Sequence, residues 1–313
     1  MKAKTIRKTI AAKIDAWLET IEDASVRDIA KKNTIVTGGC IASMLLKEPV
    51  NDFDIYFRTK EATQRIAQYY VDRFKVKSAK GIPCSIELLV EEERIRVVIQ
   101  SAGIVSEDGS QEAYEYFEGR PDDEAAAYVG SIVKGGGNVQ ETYEETEAAS
   151  LEVEDEGKPK YRPVFMSTNA ITLSHRVQII IRFYGEPDAI HENYDFVHCT
   201  NYWTSWDNEL VLRQPALEAL LAKELIYVGS KYPVCSIIRL RKFIGRQWTI
   251  NAGQILKILM QISALDLTDP KVLEDQLTGV DAAYFVQLLT KLKEKDPEKV
   301  NTAYLIEIID RIF

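Results

Sequence analysis

The sequence predicts an α/β (α+β) protein in which a mixed, strongly twisted sheet with flanking helices is followed by an all-helical C-terminal domain. Three observations support this fold class. Strand-like and helix-like runs alternate over the first hundred residues, three further strand-like runs follow from position 163, and only helical periodicity is found after position 217. We therefore predict a mixed domain at 1–212 and a helical domain at 213–313.

Composition restricts the class of protein. The chain has 313 residues, of which 46% are apolar, enough for two domains with buried cores. It has no apolar run long enough to cross a membrane, and its first residues, MKAKTIRKTI, lack the apolar core of a secretory signal. Four cysteines without paired spacing and three histidines without a CxxC motif favour a reducing cytoplasm and argue against a structural zinc site.

The net charge of −9 is unevenly distributed along the chain. Between Glu107 and Glu156 there are 16 acidic and two basic residues, a local balance of −14, so the remaining 37 basic and 32 acidic residues give +5. We interpret residues 105–160 as an acidic insertion or flap that is partly disordered. The overall acidity therefore does not exclude a polyanionic partner.

The first predicted elements are helices. Residues 5–22 carry an apolar stripe at helical spacing, and Ser25 with Asp28 forms a capping-box pattern that predicts a second, shorter helix. Thr59 can cap a third helix further along the chain. The apolar residues of the first stripe are Ile6, Ile10, Ile14, Trp17, Leu18 and Ile21.

The most informative stretch is IVTGGCIASMLLKEPVNDFDIYF. It predicts a strand at Thr34–Thr37, a turn at Gly38 and Gly39, a helix at Cys40–Leu46 and a strand at Asp52–Arg58. Most glycine pairs are only tight turns. This one precedes a helix, so its backbone N–H groups and the helix N-terminus could also approach phosphate oxygens closely.

Asp52 and Asp54 are the first candidate metal ligands. Alternate residues of a strand point to the same face, so the two carboxylates project together beside the glycine turn. Acids on the outer face of a strand are usually only solvated, but such a pair can hold a divalent cation against a phosphate. Asp195, in NYDFVHC, repeats the apolar–acid–apolar pattern around Asp54, although alone it fits an edge-strand carboxylate equally well.

The rest of the chain supplies further strands and the C-terminal helices. Ile86–Leu89 and Arg94–Gln100 are predicted strands, as are the runs PVFMSTNAITL, VQIIIRFYG and NYDFVHCTNYW. Helical periodicity predicts six C-terminal helices at 215–230, 234–247, 251–264, 270–276, 280–293 and 298–313.

Gly-Gly, twelve intervening residues, Asp-Phe-Asp and a distal apolar–Asp–apolar run together resemble the nucleotidyltransferase superfamily of DNA polymerase β, which includes poly(A) polymerases and tRNA CCA-adding enzymes. MSTNAITL, VQIIIRFYG and NYDFVHCTNYW look like the later strands of its phage- and virus-encoded members. The resemblance covers residues 30–60 and 163–250. It implies a nucleotidyltransferase-like sheet, a catalytic domain at 1–212 and, for a phage protein, the host cytoplasm.

The resemblance also implies a reaction: magnesium-dependent transfer of a nucleoside monophosphate from an NTP to a hydroxyl, with RNA, tRNA included, as the favoured acceptor. Asp52 and Asp54 would bind two Mg²⁺ ions, for which Mn²⁺ could substitute. Asp195 would complete this metal site and serve as, or orient, the base. The implied triphosphate contacts are Gly38, Gly39 and Ser43. Ile41-Ala42-Ser43 stands where CCA-adding enzymes have an Arg-Asp pair, which argues against templated CCA addition.

Two more groups are candidate nucleotide contacts. Ser167 and Asn169 could read a base or ribose, although an Asn in such a place often closes a turn. Arg239 and Lys242 share one face of a predicted C-terminal helix with Arg246. Such charges are usually solvated, but in the family that the sequence resembles a basic, aromatic helix lies opposite the catalytic strands and contacts nucleotide or acceptor.

Three alternatives stay open at this point. The same metal site could transfer the nucleotide to a protein hydroxyl, as in AMPylation or a toxin-like role, or to a small molecule. The fold could instead serve as a non-catalytic nucleic-acid-binding module. The acidic insertion could mimic nucleic acid in the basic groove of a partner. The sequence does not predict the oligomeric state, and we expect no membrane partner.

Overall fold

The structure is a computed structural model that describes residues 1–78, 86–92, 94–99, 104–105, 111–112, 160–166, 169–267, 269, 272 and 275–276. Its helices are α1 Ala3–Glu19, α2 Ala24–Asn33, α3 Gly39–Leu46, α4 Lys60–Ser78, α5 Pro187–His191, α6 Gln214–Ala222, α7 Pro233–Gly245 and α8 Ala252–Ile262. Its strands are β1 Thr34–Thr37, β2 Phe53–Phe57, β3 Ile86–Val90, β4 Ile95–Ile99, β5 Ile104–Val105, β6 Gln111–Glu112, β7 Pro163–Met166, β8 Ala170–Leu173, β9 Val177–Tyr184, β10 Tyr202–Thr204 and β11 Glu209–Val211.

The main sheet has seven strands in the order β11-β10-β1-β2-β9-β8-β7. β2 and β9 run parallel, and the other neighbouring strands are antiparallel. The sheet is therefore mixed, as predicted. β3 pairs with β4 and β5 with β6 in two separate two-stranded sheets.

One face of the main sheet is closed by a large apolar core. The stripe of α1 is buried there, and Nε1 of Trp17 donates a hydrogen bond of 2.7 Å to Oη of Tyr70 in α4. Phe53, Ile55 and Phe57 of β2 are buried in the same core. Because successive strand residues alternate between faces, the acidic positions of β2 are left for the opposite face.

The opposite face carries a smaller apolar cluster next to the candidate site. Ile35 of β1, Tyr56 of β2 and Ile190 of α5 are buried together, and Tyr194 packs against them. Asp54 lies two residues before Tyr56 and thus on the same face. This face, rather than the one closed by α1 and α4, presents the carboxylate.

The C-terminal helices form their own core against α3. Its buried residues are Ala42, Phe196, Leu220, Leu225, Tyr227, Leu240, Trp248 and Ile258. Leu45 and Leu46 of α3 also pack against this cluster. α7 is consequently held beside the glycine turn from which α3 begins. The predicted division into domains at 212 stays a prediction.

The start of α2 differs from the prediction. Oδ1 of Asp23 accepts hydrogen bonds from the backbone N–H of Ser25 (2.8 Å) and of Val26 (3.2 Å), so Asp23 caps the helix and not Ser25. The prediction for Thr59 is confirmed, because its hydroxyl accepts from the N–H of Ala62 at 3.1 Å.

Two later predictions were wrong in their secondary structure. NYDFVHC is not a strand: Asp195 lies in a bend, and a 3₁₀ turn follows at Val197–Cys199, because Phe196 pairs with Tyr227 in an isolated bridge outside the main sheet. The helix predicted at 215–230 ends at Ala222, where Lys223 adopts a left-handed conformation with φ of 49°.

Several predictions fall on positions that are not described. They are Ser167, the helices at 280–293 and 298–313, and most of the helix at 270–276 and of the insertion at 105–160. In the described part of the chain, no helix combines the length and the apolarity that a membrane crossing requires.

Candidate active site

The site begins at Gly38, where β1 passes into α3. Gly38 has φ of 90° and ψ of −151°, a conformation that is practically restricted to glycine, and it caps α3. Its N–H donates to the carbonyl of Cys199 at 3.1 Å. The next residue, Gly39, is exposed, and a Cβ there would meet nothing within 4 Å. The first turn of α3 is therefore open to a ligand, and the helix dipole favours an anion there.

Asp54 lies directly against this turn. In the antiparallel pair β1–β2 it stands opposite Thr37, one residue before Gly38. A Cβ built on Gly38 would lie 2.9 Å from Oδ2 of Asp54 and 3.4 Å from Oη of Tyr194. The two sequence features, glycine turn and carboxylate, are thus in contact, and the missing side chain makes that contact possible.

Asp52 immediately precedes β2 and lies near the basic side chains of Lys242 and Arg246. Burial raises the pKa of Asp52, while the positive charges of Lys242 and, more weakly, Arg246 oppose that rise. Lys242 of α7 and Arg246 directly after that helix therefore lie close enough to the acidic end of β2 for their charges to act on Asp52. Lys242 itself is exposed.

Arg239, one turn before Lys242, is directed at Asp195. Nη1 of Arg239 lies 2.5 Å from Oδ2 of Asp195. Burial raises the pKa of the Cys199 thiol to about 12, and the charges of Asp195, Asp54 and Arg239 also act on that thiol. Residues from β2, from the segment after α5 and from α7 thus lie close enough to Cys199 for their charges to act on its thiol.

Asp195 is engaged on both carboxylate oxygens. Besides the contact with Arg239, Oδ1 accepts a hydrogen bond of 2.6 Å from the hydroxyl of Ser236. Within the described ranges, no group of three His, Cys, Asp or Glu side chains is arranged to hold a metal ion. The prediction that Asp195 completes the metal site stays a prediction, and a cation there would share the carboxylate with Ser236 and Arg239.

The fit of a cation can be judged from these contacts. Mg²⁺ is commonly bound by one or two carboxylates together with substrate phosphates. Asp52 and Asp54, beside a glycine turn that leaves room for phosphate, suit such a site. Asp195 suits a cation less well in this conformation, because Arg239 already compensates its charge and its other oxygen accepts from Ser236.

The other predicted nucleotide contacts are placed unequally. Ser43 lies four residues after Gly39 and hence on the same face of α3. Asn169 precedes β8, and its carbonyl accepts from the N–H of Ile181 at 2.9 Å, whereas Asp54 lies level with Gln178 of β9. Ser43 therefore lies on the face of α3 that begins at the turn. Asn169 lies on the far side of β9 from Asp54, at a level three residues further along that strand.

The sequence analysis missed two residues of the site. The hydroxyl of Tyr194 approaches Gly38, but no spacing rule connects positions 156 residues apart, so the sequence carried no signal for it. Ser236 precedes Arg239 by three residues and therefore shares its face of α7. That periodicity was a usable signal.

Comparison with known proteins gives the family. Residues 8–223 match the family model described as "Gabija anti-defense 2 family protein". One relative, "Gabija anti-defense 2" of Bacillus phage SPbetaL7, is 20% identical over 123 residues, which span 39% of this chain and only 31% of that relative. The Thermotoga maritima CCA-adding enzyme complexed with tRNA is similar with a TM-score of 0.37 and 11% identity, over 90% of this chain and 56% of that chain, a likeness too low to support an argument. Because the family model covers more than half of its length, the chain belongs to the Gabija anti-defense 2 family.

Proposed function

We propose that this protein is a nucleotidyltransferase that transfers a nucleoside monophosphate from an NTP to an acceptor hydroxyl in a magnesium-dependent reaction. One observation carries the proposal: the turn at Gly38 lies against Oδ2 of Asp54 and opens onto the N-terminus of α3. A backbone turn suited to phosphate and a carboxylate suited to a cation are thereby adjacent, which is the combination that phosphoryl transfer needs.

Asp52 and Asp54 would hold Mg²⁺, and Mn²⁺ could replace it because both ions prefer carboxylate and water ligands. When bound, the cation would neutralise phosphate charge and lower the pKa of the attacking hydroxyl. The second ion that the resemblance implies would also need Asp195.

The chain itself supplies the binding and orientation of the triphosphate. The N–H groups at the start of α3, with the Ser43 hydroxyl one turn on, would bind phosphate oxygens without reorganisation, since Gly38 fixes the turn. Lys242 of α7 and Arg246 directly after that helix would face the triphosphate from the other side and compensate the charge of the departing pyrophosphate.

RNA is the acceptor we propose first. The chain outside the acidic window carries +5, and α7 presents exposed basic side chains next to the site. The reaction would then take place in the host cytoplasm, where a phage protein meets RNA.

A protein hydroxyl is a second candidate acceptor, because the family is named for counteracting a defence called Gabija. Transfer of a nucleoside monophosphate to a component of that defence would change its charge and block a surface. In this version the reaction itself would be the anti-defence activity.

Labelling separates the two acceptors. The purified protein is incubated with Mg²⁺, each α-labelled NTP in turn, total RNA, and an extract of cells that carry the Gabija defence. The proposal predicts label on RNA, or on a protein band found only with the defence present, and none with Asp54→Asn. Label on neither class of acceptor from any of the four NTPs would contradict the proposal.

A further inference from the structure

Asp195 is bound to α7 through two residues on one face of that helix. The Ser236 hydroxyl donates to Oδ1 at 2.6 Å, and Nη1 of Arg239 donates to Oδ2 at 2.5 Å. Asp195 and Ser236 are buried, with 8% and 0% of their surface exposed. Oδ2 of the carboxylate therefore binds Arg239, while Oδ1 is held by Ser236.

The backbone around Asp195 is attached to the same part of the molecule. The N–H of Val228 donates to the carbonyl of Asp195 at 2.9 Å, and the N–H of Val197 donates to the carbonyl of Ile226 at 2.9 Å. Phe196, between them, is buried in the core of the C-terminal helices. Asp195 is thus fixed to the C-terminal helices and not to β2, which carries Asp54.

The ion pair is energetically coupled. Burial alone would lower the pKa of Arg239, but the carboxylate of Asp195 outweighs it, so the pKa of Arg239 lies above its usual range. A metal ion on Asp195 would either separate this pair, which is costly for a half-buried guanidinium, or bring a second positive charge onto the carboxylate that already binds Arg239. The Arg239 side chain keeps 37% of its surface exposed, on which a ligand can reach it.

We propose that Asp195 is a positioning residue that holds Arg239 towards the phosphates of the nucleotide, and that it is not a metal ligand. The proposal depends on the proposed function, because it assigns Asp195 and Arg239 to the same nucleotide site. Asp52 and Asp54 alone then bind the cation. Arg239, held by Asp195, would donate to phosphate oxygens one helical turn from Lys242.

The test measures cation binding and nucleotide binding separately, and no acceptor is present. Mn²⁺ affinity is measured by electron paramagnetic resonance, and the affinities for ATP, CTP, GTP and UTP by calorimetry. The variants are Asp195→Asn, Arg239→Gln and the double variant. Asp54→Asn is the reference for a lost metal ligand, and Asp28→Asn, which breaks a surface ion pair with Lys32, is the matched control.

We expect Asp195→Asn to leave Mn²⁺ affinity within about twofold of the wild type, whereas Asp54→Asn lowers it about tenfold or more. Asp195→Asn and Arg239→Gln should each weaken NTP binding about tenfold, and the double variant should bind no more weakly than Arg239→Gln alone. Asp28→Asn should change neither affinity.

Two results would overturn this assignment and leave the nucleotidyltransferase proposal intact. One is a loss of Mn²⁺ affinity in Asp195→Asn as large as that in Asp54→Asn. The other is an additive loss of NTP affinity in the double variant. A wild type that binds neither Mn²⁺ nor any NTP would overturn both. If Asp195→Asn does not fold, Ser236→Ala replaces it, since this variant removes a hydrogen bond but no charge. We then expect weaker NTP binding with unchanged Mn²⁺ binding. Weaker Mn²⁺ binding with unchanged NTP binding would overturn the assignment.

Discussion

A Cβ atom on Gly38 would lie 2.9 Å from Oδ2 of Asp54, a separation that real side chains essentially never show. The backbone of Gly38 also has φ of 90°, which L-residues avoid. The contact therefore depends twice on glycine, through the space it leaves and through its conformation. It joins the turn that we propose for phosphate and the carboxylate that we propose for the cation into one unit.

Gly38→Ala should consequently impair both stability and activity. The substitution places a methyl group against the Asp54 carboxylate and forces alanine into a conformation that is practically restricted to glycine, which costs about 1–3 kcal/mol. Urea denaturation should show this loss, and nucleotidyl transfer should fall because Asp54 is displaced.

Gly39→Ala is the matched control for that variant. The new Cβ meets nothing within 4 Å, and its backbone N–H is retained. Its stability should stay within about 1 kcal/mol of the wild type, so it is a control for the stability loss. Equal losses of stability in the two alanine variants would contradict the role given to the Gly38 turn.

Lys242→Gln should weaken NTP binding without affecting folding. Lys242 is exposed and its charge acts on Asp52, so it lies at the site while contributing little to the core. We expect the KM for NTP to rise roughly twofold to fivefold at low salt and the difference to shrink as salt increases. Arg241→Gln, an exposed neighbour on another face of α7, should leave the KM unchanged. An equal rise in both variants would show that only overall charge matters.

His191 should make the fold sensitive to acid. Burial lowers the pKa of His191 to about 3, from a usual value near 6.5. Its Nε2 lies 2.8 Å from the hydroxyl of Thr37, which itself donates to the carbonyl of Asn201 at 2.9 Å, so the neutral imidazole donates through Nε2.

Between pH 6.5 and about 3 the unfolded chain binds a proton at His191 that the folded chain does not. The free energy of unfolding should therefore fall by roughly 1.4 kcal/mol for each pH unit below 6.5, with full stability retained above it. His191→Gln should make the slope shallower by one proton, as measured by urea denaturation from pH 7.5 to 4.5. His175→Asn, at a half-buried position with φ of 65°, is the control. If the free energy of unfolding of His191→Gln falls with pH as steeply as that of the wild type, His191 is not the source of the acid sensitivity.

The sequence predicted those parts of the site that depend on local periodicity. Gly38, Asp52, Asp54 and the basic face of α7 are defined by spacing within a turn, a strand and a helix, and short-range geometry fixes their directions. The structure places Gly38 against Asp54, and Asp52 within reach of the charges of Lys242 and Arg246.

Features that depend on distant partners were not predictable. The apolar–acid–apolar run at Asp195 looks like a strand, but its neighbours pair with residues 226–228, about thirty positions further on, and no local pattern reveals that choice. The early end of α6 depends on the left-handed conformation of Lys223. A lysine at this position does not indicate such a conformation in the sequence. Tyr194 enters the site only because α5 folds onto β1 and β2.

The central claim, that Asp52 and Asp54 support nucleotidyl transfer, is tested most directly by comparing the wild type with the Asp52→Asn/Asp54→Asn double variant. Both are incubated with α-labelled NTPs, Mg²⁺ and RNA, after circular dichroism has shown that both are folded. We predict labelled product with the wild type and at least about a hundredfold less with the double variant. Equal labelling by the two proteins would contradict the claim.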